Sequence, residues 1–193
     1  MTSKFTVIYD ACVLYSNYLR DILIQLAIAD LFRAKWTNLI HDEWIRNLLE
    51  NRPDLPRERL NQVKDLMNSQ VRDSLVTDFE QLIPSLTLPD PNDRHILAAA
   101  IVAEADVIVT FNLKDFPALN ISQYGITAKH PDDLIADLIV LNPLKVMAAV
   151  ETCRQRLKKQ PKTSNEYLEI LLKQGLPLSV SMLKELQNSQ NTM

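Results

Sequence analysis

The chain has 193 residues, of which 47% are hydrophobic and 23% are charged, and its formal net charge is −3. This length suits one substantial domain with an appendage, and the composition excludes both a disordered chain and a miniature protein held together by disulfides. Gly125 and Gly175 are the only glycines. Neither a Walker A loop nor a G-x-G-x-x-G dinucleotide motif is therefore possible in this sequence.

Cysteine and histidine content limits the kind of metal site that is possible. Cys12 and Cys153 are far apart in the sequence, which is typical of two reduced thiols in a cytoplasmic protein. The three histidines form no H-E-x-x-H pair, so a bound metal would have to be held by carboxylates. We expect no signal peptide and no membrane span, because there is no cationic leader and no apolar run approaching about 18 residues.

The first third of the chain alternates between β-prone runs and helical patterns. Residues 5–9 predict a strand that ends at Asp10, and apolar residues at helical spacing over 19–27 predict the helix that follows. A second strand is predicted over 36–40, leading into a helix with Glu43 in its first turn. After a break at 52–56, residues 57–67 predict another helix.

The middle of the chain carries the clearest pattern. Asp90 and Asp93 lie in a proline-rich turn, and Asp93 is the expected N-cap of an alanine-rich, buried helix over 96–103. The β-branched run at 107–110 is typical of a central strand in a parallel sheet, and a loop with Asn112 and Asp115 follows it. A strand over 126–128 and a helix opening at 131–133 complete this region.

Alternating strands and helices predict a three-layer α/β/α body with a central parallel sheet over residues 1–141, followed by a small helical C-terminal extension over 142–193. Helical patterns in the extension lie at 144–157, 166–172 and 180–186. Residues 1–144 carry 13 basic and 20 acidic side chains, whereas residues 145–193 carry 8 and 4. The basic run at 154–162 fits either a solvated helix face or a contact with RNA phosphates.

Acidic residues recur at the predicted carboxyl edge of the sheet. Asp10 ends the first strand, Glu43 follows the second, Asp93 precedes the third and Asp115 comes after it. Functional groups collect at this edge in open α/β sheets, so we expect the four side chains to converge. Two carboxylates about 4 Å apart repel by roughly 4 kcal/mol at an effective dielectric near 20. Either protonation or a hard cation, Mg²⁺ or Mn²⁺, must neutralise them, and such a cation suits phosphodiester hydrolysis.

Each of these residues also has a purely structural interpretation. Asp93 is a good N-cap, and Glu43 complements a helix dipole. Four coincident structural explanations at one sheet edge are less probable than one site. His95 and Cys12 are more typical of structural positions than of a base and a nucleophile, and the two tryptophans are more typical of a core than of base stacking.

Four segments of the sequence resemble the PIN domain family. They are V-I-Y-D-A-C-V-L at 7–14, Glu43 at a helix start, P-D-P-N-D-R-H-I-L-A-A-A at 89–100 and V-T-F-N-L-K-D-F-P at 109–117. The resemblance covers roughly the first 140 residues. It implies a metal-dependent ribonuclease that uses Mg²⁺ or Mn²⁺, most often the toxin of a VapC-type toxin–antitoxin pair in a bacterial cytoplasm. Such toxins are inhibited by a cognate antitoxin and commonly form homodimers.

The resemblance assigns metal binding and catalysis to four acids: Asp10, Glu43, Asp93 and Asp115. Many family members have aspartate where this chain has Asn112, so Asn112 is expected to support the site and Asp115 to supply the fourth carboxylate. Asp90 is a further supporting candidate. Ala11 stands where the family often has a small polar residue.

We therefore expect an endoribonuclease whose products carry 5′-phosphate and 3′-hydroxyl ends. Asn112 and Ala11 keep open the alternative of a catalytically inactive PIN-like module that binds RNA or protein. A haloacid-dehalogenase-like phosphatase is a second rival, but it needs an acid two residues after the first aspartate, where Cys12 stands. The extension resembles the added segment of a subset of VapC-type proteins and is expected to bind a partner or substrate.

Overall fold

The computed structural model describes the backbone of residues 4–191 and the side chains of residues 4–189. Four short strands are present in this part of the chain: β1 (Thr6–Tyr9), β2 (Arg33–Lys35), β3 (Val107–Val109) and β4 (Thr127–Lys129). They form one parallel sheet in the order β2-β1-β3-β4. The predicted α/β class with a central parallel sheet is confirmed.

Helices occupy most of the remaining described residues. They are α1 (Ala11–Leu14), α2 (Asn17–Ile28), α3 (Asn38–Asn51), α4 (Arg57–Gln70), α5 (Arg94–Val102), α6 (Ala118–Ile121), α7 (Pro131–Leu141), α8 (Pro143–Gln155), α9 (Ser164–Lys173) and α10 (Pro177–Asn191). Short 3₁₀ turns cover Glu80–Ser85, Pro91–Asp93, Leu113–Asp115 and Ser122–Tyr124. Over residues 4–191, none of the helices combines the length and the apolar character that crossing a membrane requires.

The strand predicted over residues 36–40 is wrong. Trp36 forms an isolated parallel bridge with Leu75, and the helix α3 already begins at Asn38. The cause is Thr37, whose hydroxyl accepts a hydrogen bond from the Ile40 amide at 3.1 Å and so caps the helix. Trp36, Thr37 and Ile40 are all buried, but only Trp36 pairs as a strand residue, while Ile40 lies in the first turn of α3.

The strand order places a topological switch point between β1 and β3. The chain leaves β1 for β2 on one side and later returns to β3 on the other side, with Val7 beside both Ala34 and Val107. Ligand sites in open α/β sheets form at the carboxyl ends of the strands at such a point. Asp10 follows β1 and Thr110 follows β3, so both residues stand at this position.

A buried aromatic cluster fixes α3 against the sheet. The rings of Tyr9 and Trp36 stack with centroids 6.1 Å apart, and the Trp36 indole donates to Asn68 Oδ1 at 2.7 Å. The Trp44 indole donates to His41 Nδ1 at 3.0 Å, and His41 Nε2 lies 3.1 Å from the same Asn68 oxygen. Both tryptophans are core residues, as predicted, and His41 is a buried histidine that bridges Trp44 and Asn68.

Contacts within the chain divide it into two compact units. The sheet unit comprises residues 4–15 with Phe32–His130, and the helical unit comprises Ser16–Leu31 with residues 131–191. Within the helical unit, α2 packs against α8 and α9, and α7 packs against α8 and α10. The sequence pattern instead assigns α2 and α7 to the α/β body, because periodicity identifies an apolar face without identifying its partner. A nuclease domain over 1–141 with an extension over 142–193 remains a prediction about folding domains.

Within the helical unit, Asp132 ties the start of α7 to the start of α10. Its carboxylate accepts hydrogen bonds from the amides of Leu178 and Ser179, both at 2.8 Å, and from the Ser179 hydroxyl at 2.6 Å. Asp132 and Ser179 are both buried. One acidic side chain thus satisfies two amides in the first turn of α10.

The two arginines of the predicted basic run are engaged inside the helical unit. Arg154 donates to both carboxylate oxygens of Glu151, and Arg156 donates to Asp21 at 2.9 Å and to Gln25 at 2.5 Å. Two of the five basic side chains in this run are thus paired within the protein, and a contact of the run with RNA phosphates stays a prediction.

Candidate active site

The side chain of Asp10 is held by three donors at the end of β1. Its exposed fraction is 4%. One carboxylate oxygen, Oδ1, accepts from the Cys12 amide at 3.2 Å, while Oδ2 accepts from the Thr110 hydroxyl at 2.6 Å and from the Cys12 thiol at 3.1 Å. The Asp10 amide donates to the Val109 carbonyl at 3.0 Å. The orientation of this carboxylate is therefore fixed by Cys12 in the turn after β1 and by Thr110 directly after β3.

Thr110 connects Asp10 to the loop that carries Asn112. The Thr110 hydroxyl is fully buried and accepts a hydrogen bond from the Asn112 amide at 2.9 Å while it donates to Asp10. Sequence reasoning gave Thr110 no role. The one feature of the sequence that could have identified Thr110 is its position directly after a buried strand, next to the strand that ends at Asp10.

The Cys12 thiol acts as a donor in this arrangement. Burial, with a further contribution from the Asp10 carboxylate, raises the pKa of Cys12 well above its ordinary value. The sulfur therefore stays protonated and hydrogen-bonds to Asp10, in agreement with the prediction that it is not a nucleophile.

Five of the six predicted site residues line one cavity of about 630 Å³ in the sheet unit. The lining residues are Leu39, Asp42, Glu43, Arg46, Asn47, Asp90, Asn92, Asp93, His95, Asn112 and Asp115. Asp10 is buried and does not line the cavity, but it is close enough to act electrostatically on Asp93. Residues from α3, from the turn before α5 and from the loop after β3 thus surround the same space.

The pKa of Asp93 is affected by the charges of all the other predicted acids. Burial is the largest cause that raises its pKa to about 7, and the charges of Asp10, Asp90, Asp115 and Glu43 raise it further, in that order. Asp93 stands at the N-terminus of α5, but its side chain makes no capping hydrogen bond. The expectation of a capping side chain is therefore wrong, and the carboxylate belongs to the acidic cluster instead.

Glu43 is paired with a histidine at the wall of the cavity. It lies in the second turn of α3 and not in the first, so a contact with the helix dipole does not explain it. His95 Nε2 lies 3.3 Å from Glu43 Oε2, while His95 Nδ1 is buried with no hydrogen-bond partner among the described residues. Nε2 is thus the ring nitrogen placed to donate to the Glu43 carboxylate. The sequence predicted only a structural role for His95.

The remaining predicted residues sit on two tight turns. Asp90 Oδ1 accepts from the Asn92 amide at 2.8 Å, so Asp90 both forms its turn and lines the cavity. The Asp115 amide donates to the Asn112 carbonyl at 2.9 Å, which brings both side chains of this loop to the same wall.

The donor set fits a hard divalent cation by its chemistry. Carboxylate and amide oxygens are the ligands that Mg²⁺ and Mn²⁺ prefer, and a cation would relieve the repulsion that raises the pKa of Asp93. In the portion of the chain that is described, no three acidic, histidine or cysteine side chains stand close enough together to hold a metal ion as they are. Metal binding would therefore have to draw the carboxylates inward from the walls of the cavity.

Comparison with known proteins gives two family matches. The model described as "PIN domain" matches residues 6–114, which is more than half of the chain, and the model described as "VapC50 C-terminal domain" matches residues 131–185. A protein of Mycobacterium tuberculosis (strain ATCC 25618 / H37Rv) named "Putative ribonuclease VapC50" is 53% identical over 49 residues, a stretch that covers 25% of this chain and 29% of that protein. The match thus spans less than a third of that relative's length. No solved structure gives a significant match.

Proposed function

This chain belongs to the PIN domain family, and from that premise we propose that it is an endoribonuclease that hydrolyses RNA phosphodiester bonds with the help of Mg²⁺ or Mn²⁺. The relative whose name includes VapC50 is described as a ribonuclease, which supports an RNA substrate. Asp10, Glu43, Asp93 and Asp115 are the proposed metal-binding and catalytic residues, and Asn112 and Asp90 support them.

The observation that carries the proposal is the electrostatic convergence on Asp93. Burial and, after it, the charges of four carboxylates from separate segments raise the pKa of Asp93, and three of those carboxylates, Glu43, Asp90 and Asp115, line the same cavity. Keeping so many acids around one cavity costs stability unless a ligand gains from them. A divalent cation that engages substrate phosphates is the ligand class that gains most from an oxygen-only site.

The chain's own residues would orient and hold the reactants. Thr110 and Cys12 hold the Asp10 carboxylate in one orientation at the end of β1, and His95 restrains Glu43 at the cavity wall. When bound, the cation supplies stabilisation of negative charge on the phosphate and activation of water. In the proposed reaction, water forms a new P–O bond, the bond from phosphorus to the 3′ oxygen breaks, and a proton reaches that oxygen. The products then carry 5′-phosphate and 3′-hydroxyl ends.

The match to the VapC50 C-terminal domain supports a proposal about the cellular role of the protein. We propose that the protein is the toxin of a type II toxin–antitoxin pair, that a cognate antitoxin inhibits it, and that it acts in the cytoplasm, where its RNA substrates are. A homodimer is part of this proposal. A short reading frame directly upstream that encodes a DNA-binding segment with a flexible tail would support it.

Cutting of RNA by the purified protein tests the enzymatic proposal. With Mn²⁺, the full chain should cut 5′-labelled single-stranded RNA, and EDTA should stop the reaction. The downstream product should carry a 5′-phosphate, so it should be captured by an adaptor ligation that requires a 5′-phosphate. Asp10→Asn should abolish cutting while the far-ultraviolet circular dichroism spectrum is retained. Asp65→Asn is the matched control, because Asp65 is an exposed acid on α4 that does not line the cavity.

Two outcomes would contradict the proposal. Equal residual cutting by the wild type and Asp10→Asn would favour an inactive module that binds RNA or protein. Release of phosphate from small phosphate esters without RNA cutting would favour the phosphatase alternative, against which the protonated thiol at position 12 already argues.

A further inference from the structure

The cavity wall contributed by α3 is a single helical stripe. The α3 residues that line the cavity are Leu39, Asp42, Glu43, Arg46 and Asn47. Their spacing follows the i, i+3, i+4, i+7, i+8 pattern of one helix face. The stripe therefore runs from an exposed leucine, through two acids, to a guanidinium and an amide.

Arg46 is the one cationic side chain among the described residues that line this cavity. It is exposed, and it makes no hydrogen bond and no ion pair within the described chain. Suitable partners are near in sequence, since Asp42 lies four residues before it, Glu43 three residues before it and Glu50 four residues after it. Pairs at these helical spacings commonly form. Here, however, one oxygen of Glu43 contacts His95 instead.

Charge explains why an unpaired arginine is useful at this position. Five carboxylates line the cavity: Asp42, Glu43, Asp90, Asp93 and Asp115. An RNA strand adds further negative charge, and bound cations offset only part of the repulsion. A guanidinium offers a planar pair of N–H donors that matches phosphate oxygens, and a partner already bound to it would block that contact.

We propose that Arg46 binds the backbone phosphate that neighbours the scissile phosphate of a single-stranded RNA substrate. This inference rests on the proposed ribonuclease function and adds a substrate-binding residue to it. Arg46 lies about 4.5 Å further along the helix axis than Glu43, at 1.5 Å per residue. The RNA strand then follows the α3 stripe, with the scissile bond at the acids and the adjacent phosphate at Arg46.

Steady-state cleavage kinetics with Mn²⁺ tests this proposal. Arg46→Ala should raise KM for a short single-stranded RNA by about ten-fold and change kcat by less than about two-fold, because the lost contact is made equally before and during the reaction. The slope of log(kcat/KM) against log[NaCl] should become shallower by about 0.7, the value for one lost phosphate contact on a single strand. Arg46→Lys should keep the salt slope and raise KM by only about three-fold, since it retains the charge without the paired donors.

A binding measurement makes the inference independent of cutting. In the Asp10→Asn background, fluorescence anisotropy with the same labelled RNA and Mn²⁺ should give about ten-fold weaker binding once Arg46→Ala is added. Arg59→Ala is the matched control, because Arg59 is an exposed arginine on α4 outside the cavity lining, and it should leave KM and the salt slope unchanged.

Several results would overturn the assignment. KM and salt slope equal to those of the wild type in Arg46→Ala would make Arg46 an ordinary solvated side chain. A fall in kcat at constant KM would place it in the chemical step. Failure of the wild type itself to cut RNA would refute the proposed function. Weaker RNA binding on adding Arg46→Ala to the Asp10→Asn background would still support the phosphate contact in that case, and unchanged binding would refute it.

Discussion

Replacing Asp93 by asparagine should stabilise the protein at neutral pH when no divalent cation is present. The pKa of Asp93 is raised from 3.8 to about 7 in the folded chain, first by burial and then by the charges of Asp10, Asp90, Asp115 and Glu43. Between these two values the folded state binds more protons than the unfolded state. The free energy of unfolding therefore falls as pH rises through this interval, and asparagine removes this dependence.

The structure limits the size of this effect. At 1.36 kcal/mol for each pKa unit, an interval from 3.8 to about 7 corresponds to at most about 4 kcal/mol. Asp93 is only half-buried, and solvent screens its neighbours, so we expect about 1–2 kcal/mol. For a chain of this size, this difference corresponds to an increase in Tm of roughly 3–6 °C.

Thermal unfolding followed by circular dichroism in EDTA between pH 5 and pH 8 measures this difference. The Tm advantage of Asp93→Asn over the wild type should grow as pH rises, and saturating Mn²⁺ should reverse the order because the wild type then gains a ligand. Asp65→Asn, an exposed acid on α4, should follow the wild type at every pH. Parallel curves for the wild type and Asp93→Asn would refute the argument that the acids around the cavity repel one another.

Three further substitutions test other parts of the structure. Asp10→Asn should weaken Mn²⁺ binding in isothermal titration calorimetry by at least about ten-fold, and undiminished uptake would remove Asp10 from the metal site. His95→Ala should lower kcat for RNA cutting by about ten-fold by releasing Glu43, whereas His95→Gln, which keeps a donor, should recover most of it; equal losses in both would leave His95 a packing residue. Asp132→Ala should lower the free energy of unfolding by about 2 kcal/mol in urea, because the amides of Leu178 and Ser179 lose their carboxylate acceptor while the Ser179 hydroxyl keeps the Asp132 carbonyl; an unchanged midpoint would contradict this expectation.

The sheet was predictable because its central strands are continuous apolar runs. Val107–Val109 and Thr6–Tyr9 are buried along their whole length, which is the pattern of a parallel sheet covered on both faces. The segment after residue 35 was not predictable in the same way, because Trp36 and Ile40 fit a strand as well as a capped helix. The helix forms here because the Thr37 hydroxyl accepts a hydrogen bond from the Ile40 amide, three residues further along the chain.

For the candidate site, chain position identified the acids but not their partners. Asp10 and Asp115 follow strands, and such residues converge whenever the sheet is parallel. The contacts of Thr110, His95 and Arg46 depend on side-chain directions set by tertiary packing, which periodicity does not encode. The gathering of the acids around one cavity is observed, and their action as metal ligands stays a prediction.

The membership of α2 in the helical unit has a consequence for how this chain is made. This helix buries several leucines and isoleucines and packs against α8, which begins about 115 residues after α2 ends. At a translation rate of about 5–20 residues per second, the apolar face of α2 leaves the ribosome roughly 6–23 s before its partner is synthesised. During that interval the nascent chain exposes the hydrophobic face of α2, so we expect a chaperone to bind it at this stage. A shortened gene that stops at residue 141 would leave α2 in that condition permanently.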